Sequence, residues 1–306
     1  MNRASLFLLV LPAYDLVETP NLDVSRYLML LLVCIFVPFI SIFMNSNILS
    51  PREERRYAKQ IMIPEIGLEG QQKLKKAKVL VVGAGGLGCP ALQYLAAAGI
   101  GKIGLAEFDA VDESNLQRQI LYGSKDVGKL KSIIAKSRLA DLNPLIELEI
   151  YNLRCDTANS LQVFTNYDVV VDATDNISSR YIINDACVIL GKAMIHGSIY
   201  GYEGIISVFN YKGGPTYRCY NPVDKEDSKN PLPQDVGLFG VLPGIIGTYT
   251  ANEVIKIITG TGEVLSGKIL LINILNNTFK TFTVKNIPEN HNIPLSLFTG
   301  SPQKGR

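Results

Sequence analysis

A glycine-rich turn separates a short hydrophobic run from an alanine-rich segment near residue 85. Gly83, Gly85 and Gly88 have the spacing G-x-G-x-x-G, directly after the β-branched run Lys78–Val82. Glycines in this position allow a tight turn, and the N–H groups at the start of the following helix can bind phosphate oxygens. Glu107 closes the next strand pattern about 20 residues later, where a carboxylate can accept hydrogen bonds from ribose hydroxyls. The spacing therefore predicts a nucleotide-binding site.

Three further polar groups suit a nucleotide and its metal ion. Arg118 lies in a polar segment, Lys131 stands at the start of a predicted helix, and Asp175-Asn176 follows a buried apolar run. Arginine and lysine bind phosphate, and an aspartate can hold Mg²⁺ beside phosphate oxygens. Each group also has an ordinary explanation without a ligand. Arg118 and Lys131 could be plain surface residues, and Asp175 could cap the next helix. Their common position at strand ends favours the functional interpretation, because ligands bind at the carboxyl edge of such sheets.

Strand and helix patterns alternate from Lys78 to Gly197, and these elements must bring the charged groups together. Such alternation predicts right-handed crossovers and a parallel sheet. The predicted strands are Lys78–Val82, Lys102–Phe108, Glu147–Tyr151, Asp168–Ala173 and Lys192–Gly197. The predicted helices include Pro90–Ala98, Lys129–Leu142 and Ser178–Leu190.

The pattern changes after His196. Strand patterns recur at Gly204–Tyr211, Lys268–Leu275 and Thr278–Val284, and Asn276-Asn277 between the last two predicts a hairpin. A further helix is predicted around Ile246–Thr259. The fold class is therefore α/β, a Rossmann-like doubly wound sheet that is mostly parallel, with antiparallel strands added in the C-terminal half. At the other end of this region, the segment Ser50–Glu53 has the pattern of a helix start with a capping box.

Composition narrows the class of protein and the compartment. The formal net charge is +2, so no basic field indicates binding to nucleic acid. Five cysteines without a C-x-x-C pair argue against a disulfide framework and favour a reducing compartment. We expect the cytoplasm or, since Ile, Asn and Lys are abundant as in AT-rich genomes, the plastid stroma.

The first 48 residues differ from the rest and form a hydrophobic N-terminal extension. Residues 27–44 carry no charge, but the run is just short of the ~20 residues that a spanning helix needs. Three interpretations stay open: a membrane anchor through residues 28–44, a cleaved targeting segment, or an extension outside the functional fold, which we favour. Residues 49–285 form the predicted nucleotide-binding domain, and residues 286–306 form a C-terminal tail.

The order of motifs from residue 49 to 284 resembles the ThiF/MoeB/HesA family of adenylating enzymes, and most closely its MoeB-type branch. The matching segments are Arg55–Gly67, Gly83–Gly101, Glu107–Gln119, Val127–Lys131, Asp172–Asn176 and Gly240–Gly247. The resemblance implies ATP and Mg²⁺ rather than NAD. It also implies a homodimer that adenylates the C-terminal glycine of a small ubiquitin-like sulfur carrier ending in Gly-Gly, with release of pyrophosphate. We favour molybdopterin cofactor biosynthesis, and the thiamine pathway stays open as an alternative.

The resemblance also implies roles for individual residues. Arg118, Lys131 and Asp175 would be catalytic, with Asp175 as the magnesium ligand. Glu107 would bind ribose where the family usually has Asp, and Lys59 replaces an Arg that reaches ATP in the partner subunit. Lysine keeps that charge but loses the bidentate fork. The full set of implied ligand-binding residues is Lys59, Gly83, Gly85, Gly86, Gly88, Glu107, Asp109, Asn115, Arg118, Lys131, Asp175 and Asn176.

The chain departs from the family in two places. Many members hold a structural zinc with two C-x-x-C pairs, but here the first pair is Thr216 and Cys219, and the second falls near Asn286–Pro294, which has no cysteine. We therefore predict no zinc. Pro233 stands where many members have a crossover-loop cysteine, so the reaction is expected to stop at the acyl-adenylate. Two alternatives remain: an NAD-linked oxidoreductase, and a catalytically lapsed ATP-binding module tethered to a membrane.

Overall fold

The computed structural model describes residues 49–222 and 237–298. The strands in this part of the chain are β1 (Lys78–Val82), β2 (Lys102–Ala106), β3 (Glu147–Tyr151), β4 (Val169–Asp172), β5 (Ala193–Tyr200), β6 (Glu203–Phe209), β7 (Lys268–Asn273) and β8 (Thr278–Thr283). They form one sheet with the order β3-β2-β1-β4-β5-β6-β7-β8. Strands β1 to β5 pair in parallel, and β5 to β8 pair antiparallel. The predicted fold class is confirmed.

Helices connect the strands. They are α1 (Pro51–Ile61), α2 (Gly67–Lys76), α3 (Gly88–Ala98), α4 (Lys131–Leu142), α5 (Ser160–Phe164), α6 (Ile177–Ile189), α7 (Tyr217–Tyr220) and α8 (Val241–Thr259). The predicted capping box of α1 is present, because the Glu53 N–H donates to Ser50 Oγ and the Ser50 N–H donates to Glu53 Oε2.

The order of strands in the sheet reverses at β1. β1 pairs with β2 on one side and with β4 on the other. All four residues of β4, and Val79–Val82 of β1, are buried, as expected for parallel strands covered on both faces. Connections from β1 and β4 therefore leave the sheet side by side at its carboxyl edge, which is the position at which such folds bind ligands.

The antiparallel half follows the sequence prediction. Asn273 pairs with Thr278 at the end of the β7–β8 hairpin, and Asn277 has a positive φ of 52°. Asparagine tolerates this left-handed conformation better than most residues. β6 ends at Phe209 rather than Tyr211, because Asn210 also has a positive φ, of 54°.

Among the element boundaries that differ from the prediction, two have clear tertiary causes. β2 ends at Ala106 instead of Phe108, because the Glu107 carboxylate accepts the N–H groups of Phe108 and Asp109. α8 begins at Val241, five residues before the predicted Ile246. Pro243 falls in the first turn, where proline is tolerated. Gly247 then lets α8 approach α3, since a Cβ there would lie 2.3 Å from the Leu87 carbonyl oxygen.

The described residues contain no helix that is long and apolar enough to cross a membrane. The hydrophobic segment 28–44 and the crossover-loop position Pro233 both lie outside the described residues.

Candidate functional site

The glycine turn joins β1 to α3. Gly83 has a φ of +99°, and a Cβ on it would lie 2.8 Å from the Ala173 carbonyl oxygen, so the position requires glycine. A Cβ on Gly88 would lie 2.1 Å from the Gly83 carbonyl oxygen. At Gly85, in contrast, the nearest atom to such a Cβ is Gln119 Nε2, at 3.7 Å. Gly83 and Gly88 therefore shape the turn, whereas a Cβ at position 85 would make only an ordinary contact with Gln119.

Glu107 holds this turn in place. Its carboxylate is buried, and Oε2 accepts the Ala84 N–H at 2.8 Å while Oε1 accepts the N–H groups of Phe108 and Asp109 at 2.8 Å each. The Ala84 carbonyl is fixed from the other side by the Tyr122 hydroxyl, which donates at 2.9 Å. Glu107 thus has a structural role that the sequence did not reveal, and its predicted contact with ribose stays a prediction.

Lys131 begins α4, and only 6% of its side chain is exposed. Its ammonium nitrogen lies 3.4 Å from Oδ2 of Asp109, a side chain that is itself 52% exposed. Because the N-terminal end of a helix carries a partial positive charge, α4 does not stabilise this cation. A buried lysine with one long contact to an exposed carboxylate can bind an anionic ligand.

The segment that contains Asn115 and Arg118 packs beside the glycine turn. A Cβ on Gly86 would lie 3.4 Å from Arg118 Cγ, and the Arg118 guanidinium donates to the Ser114 carbonyl at 3.2 Å. Asn115 is half-buried and its carbonyl accepts the Arg118 N–H. The neighbouring Gln119 is buried, and its Oε1 has no hydrogen-bond partner among the residues that the structure describes. This segment therefore brings a cation and an unsatisfied polar atom to the turn.

The loop after β4 carries the predicted metal ligand. Asn176, not Asp175, caps α6, since its Oδ1 accepts the Ser179 N–H at 2.9 Å. The alternative of a capping role for Asp175 is therefore wrong. Asp175 is exposed, and within the described residues its carboxylate receives one hydrogen bond, from Asn176 Nδ2 at 3.4 Å. Its oxygens are available to a cation.

A buried carboxylate–imidazole pair supports the same loop. Asp172 Oδ2 lies 2.8 Å from His196 Nδ1 on β5, and Asp172 Oδ1 accepts the N–H and hydroxyl of Thr174. Burial lowers the pKa of His196, and its contact with Asp172 only partly offsets this effect. Burial opposes ionisation of Asp172, but its interactions with His196, Arg180 and Thr174 outweigh this effect and hold its pKa below the usual range. We therefore infer that His196 is neutral and donates its Nδ1 hydrogen to the ionised Asp172.

Sequence reasoning missed three residues of this site, namely Gln119, Arg180 and His196. His196 could have been found as the single histidine in the otherwise largely apolar strand Ala193–Tyr200. Arg180 could have been found as a cation in the first turn of a helix, where the helix dipole disfavours it. Gln119 gave no signal of its own.

Lys59 is not joined to this group. It is exposed on α1, and within the described residues no hydrogen bond or ion pair connects it to the other predicted ligand-binding residues. Its role at the nucleotide of a partner subunit stays a prediction.

The residues that correspond to the family's zinc ligands do come together. Cys219 Sγ accepts the Ile287 N–H at 3.4 Å and lies 3.8 Å from Asn290 Nδ2 and 3.4 Å from Thr216 Oγ1. One thiol, one hydroxyl and amide groups do not fit structural Zn²⁺, which takes four cysteine or histidine ligands. No cluster of three His, Cys, Asp or Glu suited to a metal occurs in residues 49–222 and 237–298. The absence of zinc stays a prediction.

The chemistry of the edge fits Mg²⁺-ATP. A polyphosphate and a hard cation require polar groups of the kinds found here. They are the backbone of the glycine turn, the Gln119 oxygen that has no hydrogen-bond partner among the described residues, the cations Arg118 and Lys131, and the exposed Asp175 carboxylate. Arg118 also borders a cavity of about 690 Å³, whose other walls include Pro90, Ile120, Val241, Ile245 and Tyr249. These apolar walls do not suit a triphosphate, so the polar edge beside them is the better phosphate site.

Comparisons with known proteins show that the chain is similar to adenylyltransferases. The probable molybdopterin-synthase adenylyltransferase of Porphyra purpurea is 48% identical over 236 residues, which are 77% of this chain and 62% of that protein. The chain thus spans less than two thirds of that relative. The sulfur carrier protein adenylyltransferase of Thermus thermophilus is 45% identical over 238 residues, 76% of this chain and 88% of that protein.

Similarity also extends to the fold and to a family model. A crystal structure of E. coli MccB with MccA-N7isoASN has a TM-score of 0.69 at 23% identity, covering 80% of this chain and 75% of that chain. A likeness at this identity shows the fold alone. The model of the ThiF family matches residues 57–293, and with that match over most of its length the chain belongs to the ThiF family.

Proposed function

We propose that this protein is an ATP-dependent adenylyltransferase that activates the C-terminal glycine of a small ubiquitin-like sulfur carrier. The main support is the convergence of the glycine turn with Arg118, Lys131 and Asp175 at the carboxyl edge of β1, β2 and β4. The names of its relatives, which are molybdopterin-synthase and sulfur carrier protein adenylyltransferases, point to the same reaction.

The reaction needs little acid–base chemistry. A carboxylate oxygen of the carrier attacks the α-phosphorus of ATP, the bond from that phosphorus to the bridging oxygen breaks, and pyrophosphate leaves with the electron pair. The products are an acyl-adenylate and pyrophosphate. A C-terminal carboxylate is already ionised at neutral pH, so no general base is required. The protein must instead bring two anions together and stabilise the charge of the leaving group.

The residues at the carboxyl edge of the sheet would have different roles in this reaction. Backbone N–H groups of the glycine turn, with Arg118 and Lys131, bind the phosphates, and Asn115 and Asn176 support the two loops. Asp175 holds Mg²⁺, which neutralises phosphate charge when bound. Glu107 fixes the turn and, with the exposed Asp109, lies where the ribose hydroxyls are expected.

The proposal also covers the identity of the carrier, the oligomeric state and the compartment. We favour a carrier of molybdopterin biosynthesis, ending in Gly-Gly, and a homodimer in which Lys59 reaches the nucleotide of the partner subunit. With Pro233 at the crossover-loop position, the reaction stops at the acyl-adenylate. Cys89, Cys155, Cys187 and Cys219 are all unpaired thiols, which suits the reducing cytoplasm or plastid stroma. NAD-linked oxidation is disfavoured, because it leaves Arg118, Lys131 and Asp175 without a role.

ATP–pyrophosphate exchange tests the proposal. The full chain is assayed with and without the sulfur carrier protein of Thermus thermophilus. We expect carrier-dependent exchange that falls about 100- to 1,000-fold in Arg118→Ala, as after removal of one such electrostatic group in other enzymes. Asp175→Ala should abolish it, whereas the exposed Asp141→Ala should not change it. Binding of ATP without exchange would instead support a lapsed ATP-binding module.

A further inference from the structure

Arg180 is a cation whose position nothing in the proposed phosphate chemistry explains. It lies in the first turn of α6 and is half-buried. Its Nη2 donates to the Thr174 carbonyl at a long 3.4 Å, and within residues 49–222 and 237–298 its buried Nε has no hydrogen-bond partner. The positive end of the helix dipole disfavours a cation there. An arginine in this position indicates a need for positive charge.

Its surroundings include the ionised Asp172 but, within the described residues, give the guanidinium no direct ion pair. Asp172 interacts electrostatically with Arg180, but His196 occupies one of its oxygens and Thr174 the other. Among the ion pairs of the described residues, none includes Arg180. A buried guanidinium N–H that lacks an acceptor costs free energy until a ligand supplies one.

The location of Arg180 separates it from the phosphate-binding cations. Lys131 and Arg118 lie beside the turn that follows β1, together with the end of β2. Arg180 lies on the opposite side of β4, where its charge acts on His196 of β5 and on Tyr220. Arg180 donates to Thr174 in the loop that carries Asp175. The triphosphate would match the first group of cations, whereas Arg180 has only the already hydrogen-bonded Asp172 carboxylate near it.

We propose that Arg180 binds the carboxylate that becomes adenylated, which is the C-terminal carboxylate of the carrier. This inference rests on the proposed function and deepens it. The reaction joins two anions, and the structure offers separate cations for each. The planar guanidinium fork matches a carboxylate, with Nε and one Nη as parallel donors. Arg180 orients the attacking oxygen and transfers no proton.

Direct binding tests this role without requiring turnover. The probe is the sulfur carrier protein of Thermus thermophilus, with its C-terminal carboxylate free or converted to the amide. Calorimetry with the full chain and AMPCPP compares wild type, Arg180→Gln, Arg180→Lys and the exposed control Arg138→Gln. We expect wild type and Arg138→Gln to prefer the free carboxylate by about 10- to 100-fold. Arg180→Gln should lose this preference, Arg180→Lys should keep part of it, and all four should bind AMPCPP equally.

Several outcomes would overturn the assignment. One is equal binding of acid and amide by wild type, which includes the case in which neither binds. Another is full retention of the preference by Arg180→Gln. A loss of AMPCPP affinity in Arg180→Gln would make Arg180 a phosphate ligand instead. Arg180→Lys keeps the charge, so its melting temperature separates a folding defect from a binding defect. A carboxylate preference without pyrophosphate exchange would refute the proposed function alone.

Discussion

Replacement of Glu107 by glutamine is the sharpest test of how the glycine turn is held. The carboxylate accepts three backbone N–H groups, from Ala84, Phe108 and Asp109, each at 2.8 Å. Glutamine has nearly the same shape but only one acceptor oxygen, and its NH₂ group opposes whichever N–H it meets. The substitution therefore removes hydrogen bonds without creating a cavity.

The size of the effect follows from the contacts. If the amide oxygen stays with Phe108 and Asp109, the Ala84 N–H loses its acceptor, and a hydrogen bond to a charged group contributes about 1.5–3 kcal/mol. We expect the free energy of unfolding to fall by about 1.5–3 kcal/mol, and by about twice as much in the opposite amide orientation. Tyr122 still holds the Ala84 carbonyl, so the turn should loosen rather than unfold.

Urea unfolding and AMPCPP binding measure the two consequences. The full chain is compared with Glu107→Gln and with Glu113→Gln, an exposed glutamate whose replacement changes the net charge equally. Glu107→Gln should unfold at lower urea with an unchanged slope and should bind AMPCPP more weakly, whereas Glu113→Gln should match wild type. If Glu107→Gln is as stable as wild type and binds the nucleotide as well, the carboxylate does not hold the turn.

Two further predictions concern the turn and the buried pair. Gly88→Ala should strongly destabilise the fold, because its Cβ would lie 2.1 Å from the Gly83 carbonyl oxygen, whereas Gly85→Ala should melt like wild type but bind AMPCPP weakly. Calorimetric melting and nucleotide titration check both variants. Normal AMPCPP binding by Gly85→Ala would show that Gly85 is not part of the nucleotide site. Because burial lowers the pKa of His196, the unfolded chain takes up a proton below about pH 6.5 that the folded chain refuses. The contribution of this pair to the free energy of unfolding is therefore fully present above that pH. It falls as the pH drops towards the pKa of His196 in the folded chain, by up to about 1.4 kcal/mol per pH unit. Urea unfolding at pH 7.5 and 5.5 should show this loss in wild type and in the half-buried His291→Asn, but less of it in His196→Asn. An equal loss in His196→Asn would contradict the assignment.

Local signals explain why much of the fold and site could be predicted. The glycine spacing, the β-branched runs and the capping pattern at Ser50 act over a few residues, so the sequence alone identifies them. Lys131 and Arg118 could be connected to the turn because parallel strands share a carboxyl edge. The rest depends on partners that are distant in sequence. The α8 start at Val241 needs its packing against Leu87, and Asn176 and Asp175 are equally good helix caps until their geometry is known.

The least predictable feature is the contact between the two loops of the site. Gly83 can have no side chain because of the Ala173 carbonyl, while the Gly83 N–H donates to Ala106 and the Ala173 N–H donates to Val82. The glycine turn and the loop that carries Asp175 are therefore packed backbone against backbone. Since protein interiors are close-packed, neither loop can shift by much without moving the other. A nucleotide that orders the first loop should thus order the second. We therefore expect carrier affinity to rise when ATP is bound, and by linkage ATP affinity to rise by the same factor when the carrier is bound.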